Sequence, residues 1–154
     1  MNCCAEQMIL EEELLPLIRA QIAAGHRIRY LPFRGVSMLP MLRQGIDSVE
    51  LAPLPEKLKK YDLPVYQYPN GKIVMHRIVE VREDCYICLG DNTYRYETIY
   101  PQQIIAVVSA FKRGDKRIET DAWAYWLYSR VWCALYPLRN TARRVKRWLR
   151  RRLK

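Results

Sequence analysis

Histidine occurs twice and phenylalanine twice in 154 residues, and the cysteines number five. Cys85 and Cys88 form a CxxC. No second CxxC and no nearby histidine accompany it, and on an extended segment positions i and i+3 point to opposite faces, so the pair does not make a zinc site. Nothing in the chain asks for a metal or another cofactor. No basic start with an apolar run marks a secretory leader, and with an odd cysteine count this favours a reducing compartment. No period of about 20 to 50 residues repeats, which excludes solenoids and propellers. The acids at positions 11 to 13 exclude a membrane span in the first segment. The first 26 residues hold one helix, not the helix pair of a DNA-binding repressor.

Acid is also missing from the end of the chain. Pro137 to Lys154 carry nine of the 26 Lys and Arg and no Asp or Glu, which leaves 17 basic against 16 acidic side chains elsewhere. The net charge of +10 therefore belongs to a tail. In that tail Leu138, Ala142, Val145, Leu149 and Leu153 fall on one helical face and cations cover the others, the pattern of a helix lying in an anionic headgroup layer. A solvated tail and a nucleic-acid arm are the other readings. The preceding DAWAYWLYSRVWCALYP, with Asp121 as N-cap candidate, is rich in Trp and Tyr, which gather at membrane interfaces. Residues 122 to 154 are thus expected on an anionic membrane surface, with nucleic acid the less favoured partner. A span over 122 to 138 is disfavoured, being 17 residues long with Arg130 inside.

What is present divides the chain into three parts. Residues 1 to 26 read as an amphipathic helix stopped by Gly25. Residues 27 to 113 hold short β-rich runs, IRYLPF, SVELAPL, PVYQY, KIVMHRIVEV, CYICL and QIIAVVSAF, separated by turn signals such as PNG, EDC and GDN. Residues 121 to 154 form the aromatic and basic helical tail. The expected class is mainly β, with antiparallel neighbours and helices at both ends.

GVSMLPML, residues 35 to 42, follows the first β run directly, and Gly35 and Pro40 bracket the place where that strand stops. Ser37 is thereby held at the rim of a sheet, either as a turn residue or as a nucleophile that needs a base. Of the two histidines, His26 ends the first helix, where the dipole alone accounts for it. His76 lies inside the apolar run KIVMHRIVEV, either as a core histidine satisfied by one hydrogen bond or as the base. Lys72, four residues earlier, is the rival base.

GVSMLPML, DSVELAPL, KYDLPVYQYPNGKIVMHRIVEV and CLGDNT, in that order, resemble blocks of the type I signal peptidases and the LexA-like self-cleaving repressors, which share a β-rich catalytic fold. The resemblance covers about residues 27 to 113. It implies a serine endopeptidase in which Ser37 is the nucleophile and His76 the general base, as in the endoplasmic-reticulum and archaeal-like branch. It makes Asp91, of the GDN block, a member of the catalytic set; its other reading is an Asx-turn residue. A neutral imidazole, with an ordinary pKa of about 6.5, accepts a serine proton at neutral pH. Gly35, Met38 and Pro40 become candidate substrate-binding positions, although Met38 also suits a core and Pro40 a turn. Gly35 stands where some signal peptidases carry a second oxyanion donor. The family's Gly-Asp pairs appear altered, as Gly45-Ile46-Asp47 and Tyr61-Asp62. With no anchor before the serine, the catalytic part is expected in the cytoplasm, peripheral at the membrane. A leader peptide, a membrane-bound protein or the chain itself would then be the substrate. The alternative is a noncatalytic membrane- or nucleic-acid-binding module on a degenerate peptidase fold.

Overall fold

The computed structural model describes residues 14 to 32 and 34 to 152. The first half of the N-terminal helix expectation, and Leu153 of the tail stripe, lie outside the described residues. Helix α1 (14–23) is followed by β1 (Ile28–Pro32), β2 (Ser48–Ala52), β3 (Pro64–Gln67), β4 (Ile73–Met75), β5 (Arg77–Val81), β6 (Tyr86–Leu89) and β7 (Glu97–Ile99). A 3-10 turn (Pro101–Gln103) leads into β8 (Ile104–Arg113), β9 (Lys116–Glu119), α2 (Trp123–Ala134) and α3 (Tyr136–Arg152). Helix and strand take comparable shares, so the class is mixed and not mainly β. The expected antiparallel pairing is present throughout.

β8 is the spine of the larger sheet. Its IIAVVSAF is dense in β-branched side chains, which suit a strand packed on both sides, and burial along it is nearly continuous. β2 and β3 pair with it, β9 folds back on its far half, and the order β1-β2-β8-β3-β4 leaves β1 and β4 as edges. The Pro69-Asn70-Gly71 turn closes β3 onto β4, with Gly71 at φ +85°, a region open to glycine. The second sheet is the meander β5-β6-β7. KIVMHRIVEV, expected as one strand, is two: β4 belongs to the first sheet, β5 to the second, and His76 is the residue between them.

One apolar core joins α1 (Ile18, Ile22), the loop after β1 (Met38, Leu42), the first sheet and Tyr125 of α2. A second, built from Tyr66, Ile78, Cys88 and Ile99, fills the space between the sheets. The position of α2 departs from expectation. Tyr125 and Ser129 are buried, and Arg77, 0% exposed, donates to the Tyr125 hydroxyl at 2.6 Å. Tyr125 in turn donates to Tyr61 O at 2.8 Å, and Tyr61 sits at φ +81°, a region that favours glycine. α2 is therefore part of the folded unit and not a tail separable at Asp121. Its N-cap is Ala122, not Asp121, and no side chain caps it.

Candidate active site

Beyond β1 the chain coils over residues 34 to 42. Gly35 sits at φ +96°, Leu39 N–H donates to Val36 O at 3.3 Å, and Leu42 N–H to Met38 O at 3.0 Å. Met38, Met41 and Leu42 are driven into the core, and this burial pins the coil from below while Ser37 stays at its top. Ser37 O accepts the Asn92 N–H at 2.7 Å and Val36 O accepts Asn92 Nδ2 at 3.1 Å. Among the described residues, neither the N–H nor the Oγ of Ser37 is engaged in a hydrogen bond.

His76 is buried where the chain leaves one sheet for the other. Its Nδ1 lies 2.8 Å from Glu97 Oε2, and the Tyr66 hydroxyl, 3.1 Å from Nδ1, donates to the same oxygen at 2.5 Å. Burial disfavours charge on Glu97, but hydrogen bonds from His76, Tyr66 and Tyr68 outweigh it and hold the carboxyl down at about 2. Burial, and then the bond to Glu97, push the Tyr66 phenol far up, so it keeps its proton. An ionised Glu97 only accepts, and the single Tyr66 proton points at it. The Nδ1 proton of His76 must then point there too, so that in the neutral imidazole Nε2 is the lone-pair acceptor; the tautomer follows from this hydrogen-bond pattern.

The GDNT turn packs against the other side of the imidazole. A Cβ placed on Gly90 would come within 2.9 Å of His76 Cδ2 and Nε2 and 2.8 Å of Thr93 Cγ2, so only glycine lets this backbone approach the ring. Asp91, expected beside the base, turns the opposite way. Its carboxylate takes a two-pronged bond from Arg77, Nε to Oδ1 at 2.9 Å and Nη2 to Oδ2 at 2.8 Å, and Tyr128 donates to Oδ2 at 2.9 Å. A guanidinium buried from solvent needs such a partner, and Asp91 is committed to it. The carboxylate on His76 is Glu97. Reading the sequence missed it, yet a signal was present. In YETIY, Glu97 alternates with Ile99 on the inward face of β7, an unusual place for an acid without a partner.

Ser37 and His76 line one cleft of ≈ 740 Å³, together with Gly35, Lys72, Thr93 and Glu97. Its remaining wall is mostly apolar and comes largely from α1, β2, β3, β4 and β8. Met38 and Pro40 are not in that wall. Met38 is fully buried beneath the coil and Pro40 faces solvent, outside the cleft. Gly35 does line the cleft, but its N–H is taken by Gln44 Oε1 at 3.2 Å. Lys72 is exposed in the turn before β4. Cys88 is buried and its thiol is pushed up to about 12, by burial and then by Glu97, which makes it no nucleophile. Among the described residues no three His, Cys, Asp or Glu side chains converge as metal ligands would. Set against protein-family models, curated proteins and solved structures, the chain matches none.

Proposed function

We propose that the protein is a serine endopeptidase of the signal-peptidase and LexA-like type, with Ser37 as nucleophile, His76 as general base and Glu97 as the group that orients and compensates the imidazole. The observation that carries this reading is the Tyr66–Glu97–His76 hydrogen-bond set on the wall of the cleft that also holds Ser37. A core histidine needs one partner; this one is held in a single tautomer by an ionised carboxylate, which is what a base requires.

In the proposed reaction an extended peptide adds along the open edge of β4, whose Ile73, Val74 and Met75 line the cleft directly before His76. His76 Nε2 takes the Ser37 proton as Oγ bonds to the carbonyl carbon, and the unengaged Ser37 N–H stabilises the oxyanion. The proton then passes to the leaving amine as the C–N bond breaks. Water hydrolyses the ester by the same route. Glu97 remains ionised throughout and offsets the charge on the imidazolium.

Labelling with a fluorophosphonate tests the proposal without a known substrate. Wild type and Lys72→Ala should label, while Ser37→Ala and His76→Ala should not. Labelling equal in wild type and Ser37→Ala, or absent from folded wild type, would favour the noncatalytic module instead.

A further inference from the structure

α2 and α3 form one bent arm. Leu135 N–H donates to Val131 O at 3.0 Å and Arg139 N–H to Leu135 O at 3.0 Å, so helical bonding carries through the junction next to Pro137. One face of the arm grips the domain. Trp132 Nε1 donates to Asp91 O at 3.0 Å, Arg139 donates to the same carbonyl, and the Arg143 guanidinium stacks on the Tyr94 ring at 4.1 Å. The opposite face is bare. Trp123, Leu127, Val131, Leu135 and Leu138 are 76%, 45%, 47%, 41% and 67% exposed, and Val145 and Leu149 continue the row at 50% and 45%. At the helical turn of 100° per residue all of them fall within an arc of about 120°. The row follows about 40 Å of helix.

We infer that this ridge seats the protein on an anionic lipid bilayer, with the domain fixed rigidly above it. Charge selects the occupant. The exposed Arg144, Lys146 and Arg152 accompany the ridge, and the chain contains no acid after Asp121. Two copies packed ridge to ridge would set these cations against each other with nothing to neutralise them. Nucleic acid would meet the cations but leave the apolar row bare. An anionic bilayer meets both, taking the row into its acyl boundary and the cations into its headgroups. No helix among the described residues is long and apolar enough to cross a membrane, which suits a helix lying in the interface plane. Trp132, by contrast with the expectation for the tail aromatics, points into the domain and takes no part.

Docking is independent of catalysis and is measured on the full chain, in wild type and in Ser37→Ala. The assay is co-sedimentation with vesicles of phosphatidylcholine alone or mixed with phosphatidylglycerol. Both proteins should bind the mixed vesicles, with a blue shift of tryptophan emission, and salt should weaken the binding without abolishing it. Leu127→Gln/Val131→Gln/Leu138→Gln should bind at least about tenfold more weakly at unchanged net charge. Leu138→Gln/Val145→Gln, which leaves α2 untouched, should also weaken it. Unchanged binding in both variants overturns the inference. So does a dimer of wild type that these variants dissociate, or retention on nucleic acid that salt abolishes in a protein with no affinity for vesicles.

Discussion

Replacing Glu97 by glutamine exchanges one oxygen for nitrogen at almost constant volume, so whatever is lost belongs to charge and hydrogen-bond polarity. The bonds that hold the carboxyl at about 2, against 4.5 for a free glutamate, are worth on the order of 2 to 3 kcal/mol once solvent screening of a side chain 19% exposed is allowed for. If that much is withdrawn from the imidazolium in the transition state, Ser37 loses reactivity by about 30- to 150-fold. The loss deepens towards about 10⁴-fold if the glutamine amide donates to Nδ1 and drives the proton onto Nε2. The rate of fluorophosphonate labelling reads this directly. Asp91→Asn is the control, because it strips the buried Arg77 of its charged partner without touching His76. It should cost about 3 to 5 kcal/mol of stability, a fall in Tm of about 6 to 20 °C, while folded protein below its melt labels within about tenfold of wild type. A Glu97→Gln protein that labels at the wild-type rate, beside a folded Asp91→Asn protein that does not label, would refute the assignment of the triad.

Gly90→Ala should slow labelling by about tenfold or more, because its Cβ would lie 2.9 Å from the imidazole; a wild-type rate would mean that the ring is not held by this contact. Glu97 has a depressed folded pKa, so its contribution to stability is complete above about 4.5 and is lost as the pH falls to about 2. The stability difference between wild type and Glu97→Gln, followed by denaturant titration, should shrink as the pH falls through that window. Truncation at Asp121 removes Tyr125 and Tyr128 from Arg77 and Asp91 and should abolish the cooperative melt. Truncation after Arg144 removes the end of α3, where Val145, Lys146, Trp148, Leu149 and Arg152 are exposed, and should leave the melt and the labelling rate unchanged.

Local rules carried the sheets a long way. The β3–β4 hairpin follows from Pro-Asn-Gly, and the end of β1 follows from Gly35. β8 was legible as a strand from its β-branched run. The break at His76 was not, because IVM and RIVEV are both good strand text and only their partners, β3 for one and β6 for the other, place them in different sheets. Glu97 escaped for a related reason: it lies 21 residues from His76, and a three-residue strand carries little pattern of its own. The arm is only half legible from its chemistry. Tyr and Trp suit a membrane interface and a half-polar protein core equally well, and α2 carries an apolar stripe on each side. Tyr125, Tyr128, Ser129 and Trp132 meet the domain, Trp123, Leu127 and Val131 do not, and composition cannot rank the two.

The GDNT turn shows why a block can sit at the proposed active site while its acid is committed to another contact. Asp91 is gripped from inside by Arg77 and Tyr128 and, through its carbonyl, from outside by Trp132 and Arg139. A turn fixed at that residue fixes its neighbours on both sides. Gly90 then bounds the imidazole, and Asn92 holds the carbonyls of Val36 and Ser37 with two hydrogen bonds, each worth about 0.5 to 1.5 kcal/mol. Ser37 and His76 come from different edges of the first sheet, one after β1 and the other after β4, and no strand pairing links those edges. The turn touches both. Loss of Asp91 would therefore reach the site through position and stability, and loss of Glu97 through the chemistry of the imidazole itself.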